Sequence, residues 1–540
     1  MAKKIDKYSI DNTDYTVGQD NIQRYGFDIH NPVFGTSVAL ILLFLIATLV
    51  SEPSTAKAVL DGIKWKIIGL FDVLFIWSGN VFVLFCLVLI FTPFGKIRLG
   101  GNDAVPEHSL LSWIAMLFAA GMGIGLMFWS VAEPVAYLTA WYETPLGVEP
   151  NTPEAARMAL GATMYHWGLH PWAVYGVVAL SLAFFAYNKG LPLSIRSIFY
   201  PILGDKAWGW AGHIVDILAV LATLFGLATS LGLGAQQAAS GINHVFGLNG
   251  GVGLQLGVIT GVTALAVISV IRGIEGGVKL LSNVNMLIAL LLFVFVTFTG
   301  ISLFFGSVWT TISSYVANFI PLSNPHGRAD QAWFQGWTVF YWAWWISWSP
   351  FVGMFIARVS RGRTVREFLT AVLIVPTLVT VLWMAVFGGQ AIDQVMNNVG
   401  TLGSEGLTSV SLAMFQMFDF LPIGSILSII AVVLVLVFFI TSSDSGSLVI
   451  DSITAGGKLD APIPQRTFWA VIEGAIAAAL LWIGGKEAIE ALQAGAITTA
   501  LPFTVILLLM CVSLIMGFTT EEKPPKVIRT KRGLKDSEIK

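Results

Sequence analysis

Long apolar runs separated by short polar segments make up most of this 540-residue chain. About 20 apolar residues, each rising 1.5 Å along a helix, cross the hydrocarbon core of a bilayer, so each run predicts a membrane-spanning helix. The pattern predicts an all-α polytopic membrane protein with twelve transmembrane helices. In order, the predicted spans are residues 33–50, 68–92, 110–131, 158–187, 210–240, 253–271, 281–305, 331–358, 367–388, 423–450, 466–484 and 497–517.

Polar tails flank the spans, at residues 1–32 and 518–540. An even number of spans puts both tails on one side of the membrane, and the lysines and arginines of the loops indicate which side. With both tails inside, the internal loops hold 13 of these basic residues and the external loops hold six. The sequence thus predicts cytoplasmic termini, although Lys57, Lys64 and Lys66 in the first external loop run against the rule.

Composition supports the membrane class, since 56% of the residues are hydrophobic and only 11% are charged. The formal net charge of −2 gives no basis for nucleic-acid binding. Cys86 and Cys511 both lie in apolar spans, so no disulfide framework is indicated. The first 30 residues lack the apolar run of a cleavable signal peptide, and the first span is expected to act as an uncleaved anchor.

The eighth span, 331–358, is rich in tryptophan. Tryptophans near the end of a span usually form a belt at the membrane–water interface, but Trp344, Trp345 and Trp348 fall in its middle. Their indole faces, with no carboxylate beside them, favour a quaternary ammonium held by cation–π attraction of about 2 kcal/mol or more when desolvated. Packing of aromatic rings between helices is the alternative. Pro350 follows in the same span and removes a helix hydrogen bond.

Three glycines alternate in the third span, at Gly121, Gly123 and Gly125. Gly121 and Gly125 alone would form a face for close helix packing. Gly123 points away from that face, so we expect an unwound segment, which a membrane protein tolerates only where it lines a cavity or is buried in protein. Freed carbonyl oxygens in such a segment can coordinate a cation.

The fourth span offers a second aromatic wall, from Trp167, Trp172 and Tyr175. The same span contains His166 and His170, one helical turn apart. No third ligand lies near them in the sequence, so packing or hydrogen bonding is expected rather than a metal site.

Hydroxyl side chains occur on the fifth and tenth spans. Thr223, Thr229 and Ser230 lie in apolar surroundings, where hydroxyls usually bond back to the helix backbone. Thr441 and Ser442, at the end of the tenth span, supply oxygen ligands of the kind that hard cations such as Na⁺ take.

Acidic residues in or near spans are functional candidates by default. Asp444 is open to three interpretations: an ion ligand, a helix-packing partner or a solvated residue at the span end. The other acidic candidates are Asp72, Asp216 and Glu473.

Three motifs together point to one known family: GMGIG at 121–125, HWGLHPW at 166–172 and WAWWISWSPFVGMF at 342–355. The chain resembles the betaine/choline/carnitine transporters from about residue 31 to 517, and among them it looks closest to the sodium-coupled glycine-betaine symporters. The resemblance implies the leucine-transporter fold, in which two inverted five-helix repeats, spans 3–7 (about 110–305) and 8–12 (about 331–517), enclose a site near the midplane. It also implies a transporter rather than an enzyme, and a homotrimer with the segment 310–321 as a candidate contact.

The family's substrate-binding residues carry over to ten positions. The resemblance implies that the substrate contacts Trp344, Trp345, Trp348, Trp167, Trp172, Tyr175, Ser230 and the backbone of Ile124 and Gly125, with Phe355 on the cytoplasmic path.

The resemblance also implies a Na⁺ site. Its ligands would be the carbonyl oxygens of Ala119, Met122 and Phe438 and the hydroxyls of Thr441 and Ser442. A second Na⁺ site in the symporters uses two threonines four residues apart with a contact from the eighth span. Thr223 and Phe351 match that pattern, but Leu227 stands in place of the second threonine, which counts against a second ion.

Two positions bear on the substrate. Gly125 stands where choline carriers of the family tend to have an acid, so its absence favours a zwitterion that brings its own carboxylate. Residues 214–240 hold no lysine or arginine, unlike the sodium-independent carnitine exchangers. The resemblance therefore implies osmoprotective Na⁺-coupled uptake of glycine betaine across a bacterial inner membrane, with membrane lipid and Na⁺ as partners and no cofactor. Proton-coupled choline uptake, carnitine/betaine exchange and, from a different class, a channel remain open.

Overall fold

The computed structural model describes residues 7–121, 123–272, 279–460 and 462–521. Helices dominate these residues, and a short antiparallel hairpin of β1 (Asn21–Arg24) and β2 (Phe27–His30) precedes them. The α-helices are α1 (Asn31–Val50), α2 (Pro53–Phe91), α3 (Leu110–Gly121), α4 (Ile124–Leu138), α5 (Pro153–Trp167), α6 (Leu169–Tyr187), α7 (Tyr200–Leu203), α8 (Trp210–Phe246), α9 (Val252–Arg272), α10 (Lys279–Thr299), α11 (Ile301–Ser323), α12 (Gln331–Trp333), α13 (Val339–Arg358), α14 (Val365–Met396), α15 (Gly400–Glu405), α16 (Ala413–Asp419), α17 (Gly424–Thr454), α18 (Ile463–Gly484) and α19 (Ala488–Phe518).

The helix pattern confirms the all-α polytopic class. In the described part of the chain, ten helices are long and apolar enough to cross a membrane, with α5 and α6 taken together as one. The predicted number of twelve is not confirmed by this measure. The third span is divided into two short helices, and the polar edges of indole and hydroxyl groups reduce the hydropathy of the eighth. The two-repeat division at about 110–305 and 331–517 stays a prediction.

The predicted interruption of the third span is confirmed. Helix α3 ends at Gly121 and α4 begins at Ile124, and Gly123 between them is fully extended, with φ −168° and ψ −172°. Met122 lies outside the described residues. The interruption therefore frees backbone groups inside the bundle, beside the start of α4.

The fourth predicted span is also broken, which the sequence analysis did not foresee. Helix α5 ends at Trp167 and α6 begins at Leu169. A Cβ atom on Gly168 would lie 2.6 Å from the carbonyl oxygen of Met164 and 2.7 Å from the hydroxyl oxygen of Tyr315. Only glycine permits this close approach, so the packing of α5 against Tyr315 requires glycine at the helix break.

The tryptophan-rich span occupies the centre of the bundle. A π-helical turn over 334–338 joins α12 and α13 into one continuous helix, and α13 packs against α6, α8 and α19. Nearly all of its side chains are buried. Its tryptophans are therefore surrounded by protein rather than lipid, which explains why they do not follow the interfacial belt.

The three lysines that ran against the charge rule lie inside helix α2, which begins at Pro53 rather than near residue 68. Among them, the Nζ atom of Lys57 lies 2.5 Å from Asp61, 2.7 Å from Glu487 and 3.4 Å from Glu490. These acids compensate its charge, and the ion pairs join α2 to the segment that leads into α19.

Part of the N-terminal segment, within residues 7–30, packs against the helical bundle. The guanidinium group of Arg196, fully buried, donates to the hydroxyl of Tyr15 at 2.6 Å and to Nε2 of His30 at 3.0 Å. Burial, together with the neighbouring guanidinium charge, lowers the pKa of His30 to about 3, so the imidazole is neutral and accepts this hydrogen bond. Asp28 pairs with Lys458 in the loop before α18. The hairpin thus ties α1 to two other loops.

We predict that Gly161→Ala lowers stability. A Cβ atom there, on α5, would lie 2.3 Å from the hydroxyl oxygen and 2.8 Å from the carbonyl carbon of Ser314 on α11. Overpacking of this kind costs about 1–3 kcal/mol. The midpoint of thermal unfolding of the purified protein in detergent measures the effect. The control is Gly257→Ala on α9, where a Cβ meets nothing within 4 Å and alanine favours the helix. Equal midpoints for the two variants would contradict the packing argument.

Candidate functional site

A cavity at the start of α4 brings together nine of the ten predicted substrate-binding residues. Helices α4, α5, α6, α8, α13 and α14 contribute its walls. The lining residues are Gly123, Ile124, Gly125, Leu126, Trp167, Pro171, Trp172, Tyr175, Ser230, Trp344, Trp345, Trp348 and Thr380. None of these residues is acidic, as the sequence pattern led us to expect for the cage. Phe355 lies outside this cavity.

Two aromatic walls face this cavity, and we call them together the cage: Trp167, Trp172, Tyr175, Trp344, Trp345 and Trp348. The rings of Trp344 and Trp345 are nearly parallel, with centroids 4.7 Å apart. Trp167 meets Trp345 almost edge-on at 4.9 Å, and Tyr175 meets it the same way at 6.3 Å. Indole and phenol faces from three helices therefore surround one space, which is the geometry that cation–π binding requires.

Hydrogen bonds fix the indole groups of α13 by their N–H edges. Trp344 donates to the hydroxyl oxygen of Ser230 at 3.2 Å, and Trp345 donates to the carbonyl oxygen of His166 at 2.9 Å. Trp348 donates to the carbonyl oxygen of Gly226, also at 2.9 Å. Because the N–H edges are held by protein acceptors, the electron-rich ring faces stay available to a ligand.

Gly125 lies between the two aromatic walls. A Cβ atom there would lie 2.8 Å from Cη2 of Trp167 and 2.9 Å from Cη2 of Trp344. Contacts below 3 Å do not occur between real side chains without movement, so both rings would have to shift. An acidic side chain at this position would collide with both indoles.

The sequence analysis missed several residues at the site. Thr380 of α14, Pro171 and Leu126 line the cavity, and Glu133 of α4 lies behind the cage, where it accepts a hydrogen bond from Nε1 of Trp167 at 2.7 Å. Glu133 falls two residues past the predicted end of the third span. An acid followed by Pro134 inside a helical pattern was the available signal.

Phe355 lines a second cavity with three of the predicted Na⁺ ligands, Phe438, Thr441 and Ser442. Trp348 borders both cavities, so the two spaces meet at this indole. The hydroxyl of Thr441 donates to the carbonyl oxygens of Val437 at 3.0 Å and Phe438 at 3.2 Å.

Of the other two predicted Na⁺ ligands, Ala119 belongs to the final turn of α3. Met122 lies outside the described residues, so the geometry of the complete ligand set stays a prediction.

The residues of the possible second ion site are engaged in packing. The hydroxyl of Thr223 donates to the carbonyl oxygen of Ala219 at 2.7 Å, as expected for a hydroxyl inside a helix. Leu227 is buried and fills the space beside Gly446, and Phe351 packs on Trp348 with centroids 5.3 Å apart. Leucine thus occupies with methyl groups the position where a second hydroxyl ligand would be needed.

The two histidines of the fourth span form hydrogen bonds, as expected. Nε2 of His166 lies 3.0 Å from the hydroxyl of Thr338, and Nε2 of His170 lies 3.1 Å from the side-chain oxygen of Asn80. Among the described residues, no group of three or more histidine, cysteine or acidic side chains could hold a metal ion.

The acidic candidates mostly join helices. Asp444 of α17 accepts from Ser269 of α9 at 2.8 Å and pairs with Arg466 of α18 at 3.1 Å, which favours the helix-packing interpretation. Glu473 accepts from Ser443 at 2.9 Å. Asp216 accepts the backbone N–H of Arg196, and Asp72 accepts from Gln335.

Comparison with known proteins adds independent findings. A model of the betaine/carnitine/choline family of transporters matches residues 32–523. The chain is 77% identical to glycine betaine transporter 1 of Vibrio parahaemolyticus, over 97% of this chain and 100% of that protein. It is 66% identical to a glycine betaine/proline/choline/ectoine transporter of the same organism, over 96% and 93%. It is 45% identical to a glycine betaine transporter of Bacillus subtilis, over 83% and 86%.

We predict that Gly125→Ala weakens binding of a quaternary ammonium zwitterion by about tenfold or more, which corresponds to about 1.4 kcal/mol. The added methyl group displaces Trp167 or Trp344 from the cage. Titrating the purified protein with the zwitterion and following the quenching of its tryptophan fluorescence gives the dissociation constant. Gly123→Ala is the matched control, because its Cβ meets nothing within 4 Å although it lines the same cavity. Equal weakening in both variants would contradict this role of Gly125.

Proposed function

Since this chain belongs to the betaine/carnitine/choline transporter family, we propose that it imports glycine betaine by Na⁺-coupled symport. It is a multi-pass membrane transporter, and the family is one of transporters rather than enzymes. The observation that carries the choice of substrate is the cage itself. Aromatic faces line it, and no acidic side chain is among its lining residues in the described part of the chain.

Glycine betaine has two charged groups, and the cavity offers a feature suited to each. A trimethylammonium group has no N–H to donate, so it binds best against ring faces such as those of Trp344 and Trp345. The carboxylate needs positive charge, and helix α4 begins at Ile124, in the cavity wall. The free N–H groups and dipole of a helix N-terminus attract an anion. A cation without a carboxylate, such as choline, would leave that end unused.

The names of the relatives bear on the substrate range. Two of them are called glycine betaine transporters, and another is called a transporter of glycine betaine, proline, choline and ectoine. We therefore place glycine betaine first. Proton-coupled choline uptake and carnitine/betaine exchange are the alternatives within the family.

Sodium coupling is supported by the second cavity. Phe438, Thr441 and Ser442 lie there together. Ion binding between α3 and α17 would stabilise the outward-open state. Substrate in the cage would then favour closure, since a ligand shifts the equilibrium toward the state it binds better. Trp348 borders both cavities and would couple ion binding in one to substrate binding in the other.

We further propose a bacterial inner membrane as the location, with both termini cytoplasmic and membrane lipid around a homotrimer. The excess of lysine and arginine in the internal loops supports this orientation. Helix α11 carries exposed apolar side chains, including Trp309 and Val316, and offers a surface for contacts between protomers.

We predict that proteoliposomes with an inward Na⁺ gradient accumulate radiolabelled glycine betaine against its own gradient, with saturable kinetics. In Thr441→Ala and Ser442→Ala the Na⁺ concentration for half-maximal uptake should rise about tenfold, because each loses an oxygen ligand. Thr297→Ala is the control, since that hydroxyl bonds back to its own helix, α10, away from both cavities. Uptake that ignores Na⁺ would overturn the coupling, and flux without saturation or accumulation would indicate a channel.

We also predict that Trp345→Ala combined with Trp348→Ala raises the KM for glycine betaine by about thirtyfold or more. Loss of about 2 kcal/mol of cation–π attraction corresponds to that factor. Initial uptake rates over a range of substrate concentrations give the KM. Trp482→Ala, at a half-exposed tryptophan on α18, should leave it unchanged. An unaltered KM in the double variant would rule out the cage as the substrate site.

A further inference from the structure

A fully buried carboxyl group lies directly behind the cage. Glu133 of α4 has no exposed surface, and four polar side chains surround its two oxygens. Its Oε2 atom accepts from Nε1 of Trp167 at 2.7 Å and from the hydroxyl of Tyr341 at 2.5 Å. Its Oε1 atom accepts from the hydroxyl of Tyr137 at 2.8 Å and lies 2.9 Å from Nδ1 of His166. A buried acid is costly unless hydrogen-bonded, and here both oxygens have partners.

Two of these partners lead straight to the cage. Trp167 is a cage wall, with its ring 4.9 Å from that of Trp345. Tyr341 stacks on Trp345, with centroids 5.7 Å apart and an interplanar angle of 29°, and its ring also lies 5.7 Å from that of Trp167. One carboxyl group on α4 therefore holds a ring of α5 and a ring of α13 at the same time. The relative position of the two walls depends on this shared acceptor.

Trp167 needs such an acceptor more than the other cage indoles do. It is the last residue of α5, and the chain breaks at Gly168, so no following turn of the same helix supports it. Trp344, Trp345 and Trp348 lie within continuous helix and donate to a hydroxyl or a backbone carbonyl. Among these four hydrogen-bonded cage indoles, Trp167 has the shortest hydrogen bond and the only carboxyl partner.

We propose that Glu133 is the positioning residue of the cage: it fixes Trp167 against Trp345 and so sets the fit for a trimethylammonium group. The inference rests on the proposed function. Glu133 does not line the cavity and is not expected to touch the substrate. Its effect passes through Trp167 and Tyr341. A ring displaced by a few tenths of an ångström loses cation–π contact and also loses selectivity between ammonium groups of different size.

The experiment compares transport kinetics of Glu133→Ala with wild type, using glycine betaine and dimethylglycine, which has one methyl group fewer. We expect Glu133→Ala to raise the KM for glycine betaine about tenfold and to reduce the preference for it over dimethylglycine. Glu133→Gln retains one carbonyl acceptor and should recover part of the loss. Tyr137→Phe is the matched control. It removes a donor to the same carboxyl group but has no place in the cage, so the KM should stay within about twofold.

A double-mutant cycle tests the route through Trp167. If Glu133 acts mainly through this ring, Glu133→Ala added to Trp167→Phe raises the KM by much less than the product of the two single effects. Full additivity would overturn the proposal. A fall in maximal rate with unchanged KM and unchanged preference would assign Glu133 a purely structural role and overturn it as well.

The same measurements distinguish failure of the proposed function from failure of this inference. If wild-type protein shows no saturable uptake of glycine betaine, the proposed function fails, and the inference fails with it. If wild type transports and the variants keep its KM, only the inference fails. Should Glu133→Ala not fold, Tyr341→Phe decides the matter, because it removes the hydroxyl and keeps the ring that stacks on Trp345. An unchanged KM in that variant would then contradict the proposal.

Discussion

Hydrogen bonds from buried indole groups to acceptors on other helices hold the cage together at the centre of the protein. Neither lipid nor a close-packed core offers water to an N–H group, so each acceptor must come from another part of the chain. Four of the five cage tryptophans have such acceptors: Trp167 donates to Glu133, and Trp344, Trp345 and Trp348 donate to Ser230, His166 and Gly226. Trp333, Trp337 and Trp342 of the same span have no acceptor among the described residues. Among the described residues, a hydrogen bond to another helix thus distinguishes the cage tryptophans of this span from Trp333, Trp337 and Trp342.

Two helix breaks border the cage. Gly123 lets the chain restart at α4 with an N-terminus in the cavity wall, and Gly168 ends α5 directly after a cage tryptophan. In a membrane such breaks are tolerated only inside protein or beside a cavity, and both breaks are enclosed by the bundle. The same feature that frees backbone groups for ligands also leaves Trp167 dependent on a distant acceptor. Glu133 connects the two breaks: it belongs to α4, which begins after the first break, and it accepts the hydrogen bond of Trp167, which precedes the second.

The electrostatic character of the site results from polar side chains that are missing there. Gly125 admits no side chain between two indoles, and Leu227 fills a position where a hydroxyl would be needed for a second cation. The acids of the bundle are used between helices, as with Asp444 and Arg466. The lining of the cage is thus electron-rich but includes no acidic or basic side chain. A zwitterion suits this environment because its own carboxylate balances the ammonium group.

Family resemblance supplied Ile124, Gly125 and Ser230, whereas the residues by themselves determined the helical membrane class, the interrupted third span and the six aromatic side chains of the cage. These features are local: apolar run length, glycine spacing and aromatic residue type act within a single span. Tertiary structure alone decided the break at Gly168, the burial of Arg196 beneath the N-terminal hairpin and the role of Glu133. Each of these depends on a contact between distant parts of the chain, such as Gly168 with Tyr315 or Glu133 with Tyr341. Periodicity in one helix carries no information about the acceptor that another helix supplies.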